Sequence, residues 1–262
     1  MKFITSADNQ VYRSLIDCLQ SRGIKKNQQF ILAGERATLE ILARSRLMVR
    51  DVVVQANDKA EATIQLQVFK NLIPDQAMIL ALPKELFETL DIHGTRKPLL
   101  VVRTPEILPA NLDLITPGLE VFCALGDPSN VGALLRSAAA FGASRIVLLK
   151  ESASPFHPKA TRAASGATMI TPFATGPSIT ELAKTKRHQE SPWVALDMRG
   201  TSMATHHWTK NARLLIGQEG QGVPDSTEFD YLKIDMQGGV ESLNATVACS
   251  IALYTWSLHA KI

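Results

Sequence analysis

The sequence predicts an α/β fold in two domains, and three observations carry that prediction. Short runs of consecutive apolar residues alternate with helical patterns, as expected for a mainly parallel sheet covered on both faces. A stretch with three prolines, residues 104–117, divides the chain. In the second part, three predicted strands end in loops that mix small, permissive residues with polar ones.

Taken in order, Phe30-Ile31-Leu32 is the first clear strand. Gly34 and a helical pattern over 36–44 follow, with Leu39, Ile41 and Leu42 apolar. Asp51-Val52-Val53-Val54 reads as a strand, 64–72 as a helix, and Met78-Ile79-Leu80 as a short strand. Pro83 opens a helix at a position where its missing N–H costs nothing. Leu99-Leu100-Val101-Val102 is the last strand of this unit, predicted as a small α/β domain over 1–103. Residues 104–117 are expected to be a linker.

The second domain, 118–262, begins with a buried strand, Val121 to Leu125. Asp127, Ser129 and Asn130 suit a helix N-terminus, the helix is predicted over 131–141, and Gly142 suits its end. Arg145 to Leu149 is a strand; 157–169 and 178–188 are predicted helices. Strands follow at Trp193 to Leu196, Arg213 to Ile216 and Tyr231 to Met236, and the last helix covers 242–259.

Of the 262 residues, 45% are hydrophobic and 20% charged, as in ordinary globular proteins. The three cysteines, Cys18, Cys123 and Cys249, are too few and too scattered for a disulfide framework or a zinc site. A soluble protein of a reducing cytoplasm, without a metal, is expected. Residues 1–50 hold nine Lys/Arg against four Asp/Glu, whereas 51–115 hold six against nine. The basic first segment suits phosphate contacts, and equally a solvated helix face.

Each strand-end motif alone admits a plain reading. Asn130 to Arg136 is either a capped helix with a surface arginine or a phosphate grip. Gly217 to Gly222 surrounds Glu219 with three glycines, either as a tight turn or as a backbone that lies close to a ligand. It fits neither the dinucleotide nor the Lys-Ser/Thr phosphate-loop pattern. Glu241 to Asn244 is a helix start, with Ser242 a fair N-cap and Leu243, Val247, Ile251 and Tyr254 in one apolar stripe.

Together they resemble the three motifs of the SpoU, or TrmH, branch of the SPOUT methyltransferases. The first is Asp127-Pro-Ser-Asn-Val-Gly-Ala-Leu-Leu-Arg136. The second is Leu215-Ile-Gly-Gln-Glu219-Gly-Gln-Gly-Val-Pro224. The third is Ile234-Asp-Met-Gln-Gly-Gly-Val-Glu-Ser242-Leu-Asn244. The N-terminal part, through Ile4-Thr5-Ser6, Asn9 and Phe30 to Arg36, is similar to the RNA-binding domain that precedes the catalytic domain in many members.

The resemblance implies a deep trefoil knot, a rare exception to unthreaded topology. It also implies S-adenosylmethionine held by Gly217, Ile234, Met236 and Leu243, a homodimer through the knotted domain, and methyl transfer to an RNA ribose 2′-oxygen. Arg136, Asn130, Glu219, Ser242 and Asn244 are the implied catalytic set. Arg13, Arg22, Lys25, Lys26 and Arg36 are the candidate RNA contacts. Large-subunit rRNA is favoured over tRNA. The alternatives are a tRNA 2′-O-methyltransferase, methyl transfer to a base nitrogen, or a non-catalytic RNA-binding ribosome-assembly protein. One position departs from the family: Asp235 replaces the usual proline of Ile-Pro-Met.

Overall fold

The computed structural model describes residues 1–259 except 46–47, 70–71, 187–188 and 240–241; the side chains of residues 35, 36, 40, 44, 45 and 68 also lie outside the description. The chain folds as two compact units, Met1–Pro105 with Ser154–Met169, and Glu106–Ala153 with Ile170–Ile262. Residues 106–117, expected as a linker, are fixed to the second unit. The Ala110 N–H donates to the Thr175 carbonyl, and Arg213 donates to the carbonyls of Leu112 and Leu114.

In chain order the first unit holds β1 (Lys2–Phe3), α1 (Gln10–Asp17), α2 (Ser21–Asn27), β2 (Gln29–Leu32), α3 (Glu35–Ser45), β3 (Val49–Gln55), α4 (Lys59–Leu66), β4 (Met78–Leu82), α5 (Lys84–Leu90) and β5 (Leu99–Arg103). The strands form one sheet in the order β1-β4-β3-β5-β2. Pairing is parallel among β1, β4 and β3, and antiparallel where β5 joins β3 and β2. α1 and α2 went unseen in the sequence because both are short and polar. Only Tyr12 and Leu15 of α1, and Gly23 and Ile24 of α2, are buried. Local chemistry fixes α1: the Asn9 side chain accepts from the N–H groups of Val11 and Tyr12 at 2.9 and 3.4 Å.

The chain continues through β6 (Leu119–Cys123), α6 (Pro128–Phe141), β7 (Arg145–Leu148), α7 (Pro158–Ala164), β8 (Phe173–Thr175), α8 (Ile179–Leu182), β9 (Trp193–Ser202), β10 (Ala212–Ile216), β11 (Phe229–Lys233) and α9 (Ala245–His259). α7 belongs to the first unit, where Phe156 stacks on Phe30 with ring centroids 4.9 Å apart. α7 is shorter than the 157–169 expected. Ser165 and Gly166 both take positive φ, which ends a helix. α8 is one turn rather than the expected 178–188. A capping box between Ser178 and Glu181 starts it, and only Ile179 and Leu182 are buried to hold it.

The second unit carries a six-stranded, wholly parallel sheet in the order β11-β9-β10-β6-β7-β8. The central strands β6 and β10 are buried at every residue. That burial explains their mostly apolar sequences, interrupted only by Glu120 and Arg213, which pair with each other at 3.2 Å. Trp193 anchors one face of the core, with its ring edge-on to Phe122 at 4.5 Å and 5.9 Å from Phe229. The chain lays β6, β7 and β8 to one side, then crosses to β9, returns to insert β10 beside β6, and finally adds β11 outside β9. Because all six strands are parallel, β6, β10 and β11 end on one edge, and the three sequence motifs begin there.

Candidate active site

Asp127 builds the first wall. Its carboxylate accepts from the N–H groups of Ser129 and Asn130 at 2.8 and 3.0 Å, and Pro128 needs no partner at the first turn. Asn130 is thereby fixed at the start of α6.

The second wall is a glycine hairpin after β10. Gln218 and Gly222 exchange two backbone hydrogen bonds of 3.1 and 2.9 Å, and Gly220 and Gly222 adopt positive φ. At Gly217 a side chain is excluded, since a Cβ there would lie 2.3 Å from the Gly222 carbonyl. Glu219 projects from this hairpin back to the first wall. Its carboxylate accepts from the Gly126 N–H at 2.9 Å, from the Asn130 side-chain amide at 3.0 Å and, more weakly, from the Asp127 N–H at 3.5 Å. Partial burial pushes this carboxyl up, but the hydrogen bonds outweigh burial and its pKa lies below the ordinary value.

The third wall is the start of α9. Asn244, not Ser242, caps this helix, accepting from the N–H groups of Thr246 and Val247 at 2.9 and 3.3 Å. The Asn244 side-chain amide donates to Asn130 Oδ1 at 3.3 Å, and the Thr246 hydroxyl donates to the Asn130 carbonyl at 3.2 Å. α9 also packs along α6, with the hydroxyls of Ser137 and Ser250 2.7 Å apart. A chain of hydrogen bonds, Glu219 to Asn130 to Asn244, thus ties the three motifs together.

A cavity of about 490 Å³ lies between the second and third motifs, within the usual range for small-molecule sites. Gly217, Ile234, Met236 and Leu243 all line it, as do Glu219, Ser242 and Asn244. Arg136, two turns along α6, is exposed and outside the lining. Among the described residues it makes no hydrogen bond or ion pair. Asp235 also lies outside the lining, although its neighbours Ile234 and Met236 are in it. Its carboxylate accepts instead from the Ser202 hydroxyl.

Sequence reading missed one wall. β11 pairs β9 up to Ala195 and resumes at Thr201, so residues 196–200 bulge out and bring Leu196, Asp197 and Met198 to the cavity. Arg199 holds Asp197 at 2.8 and 2.9 Å, contacts Asp225, and keeps the Asp197 carboxyl below its usual range. The bulge that carries Asp197 follows from how β11 pairs with β9, residues more than 30 positions apart, so no local pattern announces it.

Of the candidate RNA contacts, Arg13 pairs with Asp8 and Lys26 with Asp17 at 3.3 Å. Arg22 and Lys25 are exposed on α2. The side chain of Arg36 lies outside the described residues. Among the described residues, no group of three or more His, Cys, Asp or Glu could hold a metal ion.

Parallel strands ending on one edge, with glycine and asparagine loops closing a ligand-sized cavity there, define an α/β protein with a small-molecule site at its strand ends. Residues 121–254 match the model of the SpoU rRNA Methylase family, and the chain belongs to that family. It is 37% identical over 258 residues to a protein named ribosomal RNA small subunit methyltransferase G 2 from Syntrophobacter fumaroxidans, covering 97% of this chain and 49% of that one. It is 33% identical over 181 residues to the 23S rRNA (guanosine-2′-O-)-methyltransferase RlmB of Coxiella burnetii, covering 65% of each. The chain therefore spans 49% and 65% of the length of these two relatives. An AdoMet-bound rRNA methyltransferase from Sinorhizobium meliloti shares the fold at a TM-score of 0.78 and 20% identity, over 98% of both chains. The SpoU methyltransferase AviRb from Streptomyces viridochromogenes, with AdoMet, shares it at 0.76 and 21%, over 95% of this chain and 97% of that one.

Proposed function

We propose that this chain is an S-adenosylmethionine-dependent RNA ribose 2′-O-methyltransferase. The observation that carries the reading is the Glu219–Asn130–Asn244 chain at the strand ends, whose two outer members line the cavity while Asn130 joins them from outside the lining. The cavity suits the cofactor. Leu196, Met198, Ile216, Leu232, Leu243 and Ala248 offer apolar walls for a purine, and Asp197 offers a carboxylate for ribose hydroxyls. Gly217 and Gly222 let backbone approach closely. When bound, S-adenosylmethionine supplies an electrophilic methyl group.

Everything else falls to the chain. Aligning a ribose oxygen is worth up to roughly 7–11 kcal/mol, and Asn130 and Asn244, already locked together, suit that work. Glu219 has both oxygens engaged and a lowered pKa, so it is a weak base near neutrality and acts as a positioning residue. Arg136 has no partner to give up and suits a bidentate phosphate grip. A guanidinium is a donor and not an acceptor, so the 2′-hydroxyl proton passes to a substrate phosphate or to water.

The relatives' names support rRNA as substrate. The RlmB names favour the large subunit; the small-subunit name belongs to a protein about twice as long. The knot, a homodimer and a cytoplasmic setting complete the reading. Two measurements test it. Calorimetric titration should give saturable S-adenosylmethionine binding; none would sink the reading. Arg136→Lys should leave that binding unchanged and slow methyl transfer by about tenfold or more, because an ammonium cannot form the bidentate contact. Near-normal turnover would rule out the clamp.

A further inference from the structure

The cations expected to meet RNA lie on α1, α2 and α3, yet a different part of the first unit has the better geometry. At one end of its sheet lies a second cavity, of about 380 Å³, lined by Lys2, Arg50, Asp51, Gln76 and Arg103 among others. Strand register explains how residues so distant in sequence meet. Lys2 opens β1, Asp51 stands opposite Met78 at the start of β4, and Arg103 ends β5 opposite Gln29.

Arg50 is the key residue. Val49 pairs with Val102 and Asp51 with Val101, so Arg50 is the extra residue of a β-bulge. Bulges re-aim side chains. Here Val49 and Asp51 are buried while Arg50 is exposed. Two buried partners fix its guanidinium from behind. Gln29, 1% exposed, accepts from Nη1, and the Asp51 carboxylate, in a residue 5% exposed, lies 3.3 Å from Nε. Asp51 Oδ2 accepts no hydrogen bond, so its place there is explained by the charge it sets against Arg50. That leaves Nη2 without a bonded partner among the described residues. Lys2 and Arg103 are exposed and likewise form no ion pair among them.

An oriented guanidinium beside two uncompensated cations is an anion site, and Val11, Val49, Met78 and Leu80 complete the lining. We propose that Lys2, Arg50 and Arg103 form a docking pocket for the phosphodiester backbone of the substrate RNA, with Asp51 and Gln29 as positioning residues for Arg50. This rests on the RNA-modifying reading above and moves the main RNA contact of this unit from α1 and α2 to the sheet end. Arg13 and Lys26 already carry acidic partners, whereas the three pocket cations carry only the one carboxylate of Asp51.

The test is the salt dependence of binding to a fluorescent single-stranded RNA of mixed sequence, measured with the full chain between about 50 and 200 mM salt. Each lost phosphate contact lowers the slope of log K against log salt by about 0.7 on single strands. The double variant Lys2→Gln/Arg103→Gln removes no side-chain hydrogen bond or ion pair among the described residues, so it keeps the fold, which unchanged S-adenosylmethionine titration would verify. It should weaken binding and reduce the slope by about 1.4. Adding Arg50→Gln should bring the reduction to about 2, and Arg50→Lys should restore charge without the full affinity. Arg22→Gln/Lys25→Gln should change the slope less than the pocket pair does. Binding of inorganic phosphate at micromolar concentration, with RNA affinity untouched by the pair, would assign the pocket to a small anion and overturn the proposal. An unchanged slope for the pocket pair would overturn it too, while leaving the methyltransferase reading intact. Wild-type chain that binds no RNA at any salt would overturn both.

Discussion

Glu219 decides how the site is held. Its folded-state pKa lies below the ordinary 4.5, so its stabilising contribution is complete above that value and is lost as pH falls through the folded one. Thermal unfolding followed below pH 4.5 should show this loss in the wild type, and Glu219→Gln should flatten it. At neutral pH the same variant should weaken S-adenosylmethionine binding without abolishing the fold, because Gln keeps one acceptor but turns its NH2 towards either the Gly126 or the Asn130 donor. Gly217 is a sterner case. In Gly217→Ala the new methyl meets the Gly222 carbonyl at 2.3 Å, so the hairpin must shift. Titration should find cofactor affinity reduced at least about tenfold, roughly 1.4 kcal/mol, with circular dichroism unchanged.

The sheet's two ends do different jobs. One end carries the three motifs. At the other, Glu120 on β6 is fully buried and holds Arg145 of β7 at 2.6 Å and Arg213 of β10 at 3.2 Å. Arg213 lies 5.1 Å from the Trp193 ring centroid and clips Leu112 and Leu114 onto the sheet. Removing Glu120 strands two cations, one of them 1% exposed, and breaking a buried pair in this way costs about 3–5 kcal/mol. Urea unfolding of Glu120→Gln should show a loss of that size. The strands and helices that built the motifs were legible because β6 and β10 are buried on both faces and the caps are made by neighbours in sequence. Gly217, Ile234, Met236 and Leu243 could be marked from the motifs and do line one cavity. Asp197 could not, because the bulge at 196–200 depends on how β11 pairs with β9. Nor could Arg50, whose orientation comes from Gln29, 21 residues earlier.

For the molecule as a whole, the net charge of +3 is too small to carry RNA affinity by itself, so the proposed RNA binding rests on local arrangement. Among the described residues no helix is long and apolar enough to cross a membrane. α9 leaves Val247, Tyr254 and Leu258 exposed along one side, with Tyr254 leaning on Phe141 at 5.7 Å. The proposed homodimer would cover this stripe. Analytical ultracentrifugation should find a dimer for the wild type and a monomer for Tyr254→Glu/Leu258→Glu. The central claim, methyl transfer to an RNA ribose, is tested most directly by mapping 2′-O-methylation across total RNA from cells with and without the gene. In cells without the gene an rRNA ribose should lose its methyl group, and the wild-type gene should restore it while Arg136→Ala does not. An identical 2′-O-methylation map in both cells would contradict it.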